Sequence, residues 1–80
     1  MTNLEIVKQV IDNGNWFNGT AEVYVMSSNK EVQICTKNVF VRMNELEHLK
    51  NEIEKWEKVE DIEVSPMPGL NYALAVTVIF

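Results

Sequence analysis

The last ten residues, Asn71 to Phe80, read Asn-Tyr-Ala-Leu-Ala-Val-Thr-Val-Ile-Phe and hold no charge, no Gly and no Pro. As a strand they divide into two faces: Tyr72, Leu74, Val76, Val78 and Phe80 on one, Ala73, Ala75, Thr77 and Ile79 on the other. So apolar a run, rich in β-branched residues and preceded by Ser65-Pro66-Met67-Pro68-Gly69, predicts a buried, central strand. It is too short for a membrane-spanning helix, which needs about 20 apolar residues.

Elsewhere the pattern alternates between two periods. Leu4, Val7 and Ile11, widened by Ile6 and Val10, follow helical spacing. Thr2 and Glu5 have the capping-box form, and Gly14 follows Asn13 as a C-cap, so a helix is expected over about residues 3–13. Thr20 to Met26 and Glu31 to Thr36 then alternate with period two, joined by Ser27-Ser28-Asn29-Lys30, which predicts a β-hairpin. Val39-Phe40-Val41 either extends the second strand or forms a short one of its own. Asn44 and Glu47 repeat the cap spacing. Leu46, Leu49, Ile53 and Trp56 recur as an apolar seam, so a second helix is expected over about 45–58, supported by the pairs Lys50–Glu54 and Glu54–Lys58. Asp61 to Val64 gives a third strand, ended by Pro66 and Pro68.

The expected fold is α+β in the order αββαββ: a four-stranded, mainly antiparallel sheet with both helices on one face, in one domain spanning residues 1–80. The Tyr72–Phe80 face should meet Leu4, Val7, Ile11, Leu49, Ile53 and Trp56. Alternation leaves Glu22, Tyr24, Met26, Glu31, Gln33, Cys35, Asp61, Glu63, Ala75, Thr77 and Ile79 on the other, open face. That face is either a protein-binding or dimer surface or an ordinary solvated one.

Charge sharpens this picture. The chain of 80 residues has a net charge of −5. Eight acids and three lysines lie between Glu45 and Glu63, so the whole excess sits there. Such a surface repels a nucleic-acid backbone and attracts basic partners, and direct DNA or RNA binding is not expected. Glu57, Glu60, Asp61 and Glu63 are the acids least diluted by lysine. The remaining acids of the second helix read as a solvated face.

The chemistry expected is slight. His48 is the only histidine and Cys35 the only cysteine. Cys35 falls on a strand and reads as a small half-buried side chain. Glu45 and His48 have the Glu-x-x-His spacing of carboxylate-bridged metal sites, but the other ligands such sites need are lacking. No phosphate loop and no nucleophile motif occurs, so no enzyme activity, metal or cofactor is expected. Trp16 and Phe17 sit between polar turn residues, as a lid over the helix–sheet junction or as a ligand-stacking pair. A lone cysteine fits the reducing cytoplasm, and no secretory signal or membrane anchor is expected.

With eight acids between Glu45 and Glu63, a compact α/β build and no catalytic set, the chain resembles the small acidic inhibitors encoded by phages and mobile elements, including anti-CRISPR proteins and DNA mimics. The resemblance rests on size, charge and absent chemistry over the whole chain and carries no residue's role with it. It implies a protein that binds and blocks a host defence effector. Long-range attraction would then come from Glu57, Glu60, Asp61 and Glu63, and contact area from Tyr24 and Met26. Two other readings stand beside it: a homodimeric scaffold paired through the open face, and a nucleotide decoy that stacks a base on Trp16, Phe17 or Tyr72.

Overall fold

The structure, a computed structural model, describes residues 1–24, 28–67, 69 and 71–80. Its elements are α1 (Asn3–Asp12), a tight 3-10 turn (Trp16–Gly19), β1 (Glu22–Tyr24), β2 (Glu31–Thr36), α2 (Met43–Ile53), β3 (Asp61–Pro66) and β4 (Leu74–Ile79). The fold is α+β, with the four strands in the order β1-β2-β4-β3 and every pairing antiparallel. The apolar C-terminal run is an inner strand, as its composition demands. Met26, at the end of the expected first strand, lies outside the described residues.

Two rows of the sheet explain the core. Val23, Ile34, Val76 and Val64 stand side by side across the four strands, and Val32, Val78 and Ile62 form the next row. Both rows point to the helices. Ile34, Val76 and Val78 are fully buried with Val7, Phe17, Leu49 and Ile53, and Ile6, Val10, Ile11, Trp16, Val32 and Val59 belong to the same cluster. Val76 and Val78 each withdraw a whole aliphatic side chain from water, worth about 1.5–3 kcal/mol apiece.

α1 starts as its sequence dictates. Thr2 Oγ1 accepts the Glu5 N–H, and the Glu5 carboxylate accepts from the Thr2 N–H and hydroxyl. Its C-terminus is closed differently from expectation. Asn13, not Gly14, is the C-cap, and its φ of −88° is right-handed. The orphan carbonyls of the last turn are met by Asn13 N–H on Gln9, Gly14 N–H on Ile11 and the Trp16 indole N–H on Val10 at 2.9 Å. Gly14 is needed for space instead: a Cβ there would overlap the Trp16 ring.

α2 departs further. Its N-cap is Arg42, which makes no side-chain cap bond, and the helix stops at Ile53. The Asn44 cap is therefore displaced by two residues. The seam ends with the helix, so Trp56 leaves the core and is exposed. Lys50–Glu54 and Glu54–Lys58 do not pair; Glu52 takes Lys55 at 2.6 Å, and Glu54 accepts the N–H of buried Val59. Val39-Phe40-Val41 forms no strand. Among the described residues no helix is long and apolar enough to cross a membrane.

Candidate protein-docking face

Both helices pack on one side, and among the described residues no helix or strand covers the other side of the sheet. Strand register assigns it row by row. Glu22, Cys35, Ala75 and Ser65 form one row, Tyr24, Gln33, Thr77 and Glu63 the next, and Glu31, Ile79 and Asp61 the third. Strand order therefore puts Glu22 and Tyr24 at one edge and Asp61, Glu63 and Ser65 at the other. The middle holds small or semi-apolar side chains. These eleven strand positions carry four carboxylates and no cation. An edge strand studded with acids and closed by Pro66 also resists pairing with a stray strand.

One feature of the face breaks strand alternation. Counting back from Leu74, Tyr72 should point to the helices. β4 begins only at Leu74, with bends at Asn71 and Ala73, and Tyr72 turns to the open side instead. Its hydroxyl donates to Glu22 Oε2 and accepts from the Tyr24 hydroxyl at 3.3 Å. The two rings meet edge to face, 5.8 Å between centroids and 86° between planes, a geometry set by the ring quadrupoles. Holding the Glu22 carboxylate favours the neutral phenol, so the bond to Glu22 and then the one from Tyr24 push the Tyr72 hydroxyl well above its usual range.

Cys35 and Ala75 lie in the same row as Glu22 and are buried although they face the open side. Burial, and secondarily the Glu22 charge, raises the Cys35 thiol pKa. A thiol so placed is a poor nucleophile.

The expected site residues divide. Tyr24, Asp61 and Glu63 share the open face, with Tyr24 and Glu63 in one row at opposite edges, about 14 Å apart over three strand spacings. Glu57 and Glu60 are exposed on the segment leading from α2 into β3, and Glu60, whose N–H donates to the Ile79 carbonyl, adjoins the Asp61 end of that edge. Tyr72 and Glu22 join the site without having been singled out as partner-binding. The stretch of Pro, Gly and Asn before the terminal run was the available signal that strand alternation would not reach back to Tyr72.

On the helical side a different constellation forms. Trp16 and Phe17 are buried, as a lid requires. Phe17, Asn18 and Gly19 all take left-handed backbone, with φ of 52°, 56° and 77°. For Phe17 that costs about 1–2 kcal/mol. The position is held by complete burial of the ring and by its N–H on Glu45 Oε2 at 2.9 Å. The Thr20 hydroxyl donates to the Phe17 carbonyl at 2.7 Å and lies 2.8 Å from the hydroxyl of Thr36, which accepts the Asn38 N–H. A buried Phe17 cannot stack a base. His48 lies over Trp16, 5.1 Å between ring centroids, and faces Glu52 at 3.9 Å. Among the described residues no group of three or more His, Cys, Asp or Glu could hold a metal ion.

Compared with family models, with curated proteins and with solved structures, the chain finds no match in any of the three.

Proposed function

We propose that this chain is a non-enzymatic binding protein that docks its open sheet face on a basic surface of another protein, as an inhibitor of the kind its size and charge resemble. The observation that carries the reading is the face itself: a semi-apolar centre with Glu22 at one edge, Asp61 and Glu63 at the other and Glu31 at the end of β2, with no cation at a strand position and no helix or strand covering it among the described residues. Carboxylates at the rim raise the encounter rate with a basic partner, while a tyrosine pair supplies rigid contact area. The buried, unreactive Cys35 suits action in the cytoplasm.

Charge also bears on the scaffold reading. Pairing open face on open face brings together two surfaces whose strand positions carry four carboxylates each and no cation, with Lys37 beside Tyr72 as a partial offset, which is unfavourable at neutral pH. The decoy reading is weakened by the burial of Phe17 and by the engagement of Tyr72 with Glu22.

The test is affinity capture from the native host lysate with wild type, with a Glu57→Lys/Glu60→Lys/Glu63→Lys variant and with Tyr24→Ala. The reading expects one protein to be retained by wild type, to weaken with salt and to be lost with both variants. Retention that ignores both variants rules the face out.

A further inference from the structure

The strip between β2 and α2, residues 37–42, presents to water side chains that water disfavours. Val39, Phe40 and Met43, the first residue of α2, are 85%, 70% and 82% exposed. Single exposed apolar residues are ordinary, but three within five positions make a patch. Phe, Met and Arg are residue types enriched at interface centres. The strip also carries Lys37 and Arg42 and no acid, in a chain of net charge −5.

Beside this prong lies a groove between α1 and α2 of about 390 Å³, lined by Val10, Trp16, His48, Glu52 and Trp56. Trp56, pushed from the core by the early end of α2, is 54% exposed. A polar hollow runs from Phe40 and Arg42 to His48. His48 therefore lines both cavities, and prong and groove are neighbours on one surface with His48 between them.

We propose that two copies of the chain pair through this surface, Phe40 of each entering the Trp16–Trp56 groove of the other. A prong beside a groove that fits it is what a two-fold axis requires, since the operation that seats one Phe40 seats the other. The groove is at the small end of ligand pockets and accepts one aromatic side chain. The groove rim carries both signs, Glu52 being paired with Lys55 at 2.6 Å, so the pairing draws on apolar contact and not on charge.

Area agrees as well. Val39, Phe40, Met43 and Trp56 together expose on the order of 500 Å² per copy, so pairing buries roughly 1,000 Å², the lower limit of a specific interface. The open sheet face lies on the opposite side of the molecule and stays free, so the pair presents two docking faces. This inference goes beyond the docking reading and stands without it.

Sedimentation velocity on the full chain across the micromolar range tests it, with Phe40→Glu and Trp56→Glu alongside and circular dichroism to confirm that each variant folds. Both residues are exposed, so neither change disturbs the core. The expected result is a wild-type dimer whose dissociation constant rises roughly a thousandfold in either variant, because each substitution acts at both contacts of the symmetric pair. A wild-type chain that stays monomeric at hundreds of micromolar overturns the proposal and leaves the prong to a different protein or a lipid surface. A dimer indifferent to both substitutions overturns it equally and moves the interface elsewhere.

Discussion

Gly14→Ala offers a test in which two effects predict opposite signs. The backbone at Gly14 is not left-handed, so alanine is conformationally allowed there. In such a position Gly→Ala ordinarily stabilises by about 0.4–1 kcal/mol, by reducing the freedom of the unfolded chain. Here the new methyl would overlap the Trp16 indole, with Cδ1 at 3.0 Å and Cε2 at 3.1 Å among its nearest atoms. The indole has little freedom to move away, being buried and hydrogen-bonded to the Val10 carbonyl. Overpacking of this kind costs about 1–3 kcal/mol. The steric term is the larger, so the net change is a loss, of up to about 2.6 kcal/mol. For a domain of this size each kcal/mol lowers Tm by about 4–8 °C. Thermal melts followed by circular dichroism measure it, and tryptophan emission in a Trp56→Phe background reports on Trp16 alone. The expected result is a lower Tm with emission shifted to the red. A variant as stable as wild type or more so, with unshifted emission, would refute the assigned role of Gly14.

Four further outcomes follow from the same contacts. Thr2→Ala removes the α1 capping box and should cost about 1 kcal/mol in urea denaturation, with an unchanged m-value. The raised pKa of Tyr72 makes its contribution to stability complete below pH about 10, the value of an unperturbed tyrosine, and lost as pH rises toward the folded value. Stability measured against pH should therefore fall on the alkaline side, and fall less in Tyr72→Phe. The Glu5 carboxyl is held below its usual value, chiefly by the Thr2 N–H, so its contribution is present above pH about 4.3 and lost as pH falls. The acid limb of the stability curve should flatten in Glu5→Gln. Removing residues 76–80 takes Val76 and Val78 from the core and four of the six residues of an inner strand from the sheet, so the shortened chain should lose its cooperative melt.

How far the sequence foretold these results depends on whether local chemistry or tertiary contact decides each element. α1, β2 and the central place of β4 were legible because a capping box, strict alternation and an uncharged β-branched run each admit one outcome. The start of α2 was not, since Arg42 caps it without a side-chain bond and Asn44 imitated a cap two residues later. Trp56 continued the seam in spacing, but the helix ended first, and a periodic pattern carries no information about where hydrogen bonding stops. Val39-Phe40-Val41 has strand composition, yet β2 stops at Thr36, opposite the first residue of β4, Leu74, so a longer β2 would run past the start of its inner partner. The left-handed Phe17 has no sequence signature, because it is held by Glu45, 28 residues away.

The site was legible in part for the same reasons. The membership of the open face followed from alternation and needed only the strand order to place Glu22, Asp61 and Glu63 at its edges. Tyr72 escaped because bends before β4 reset the alternation, and its pairing with Glu22 spans 50 residues.

The docking claim is tested most directly by the association rate of the captured protein with this chain, measured against ionic strength. Steering by a carboxylate rim predicts a rate that falls steeply as salt shortens the range of attraction from about 30 Å at 0.01 M to about 8 Å at 0.15 M. It also predicts that Glu57→Lys/Glu60→Lys/Glu63→Lys slows association and flattens that dependence. An association rate insensitive to both salt and charge reversal would contradict it.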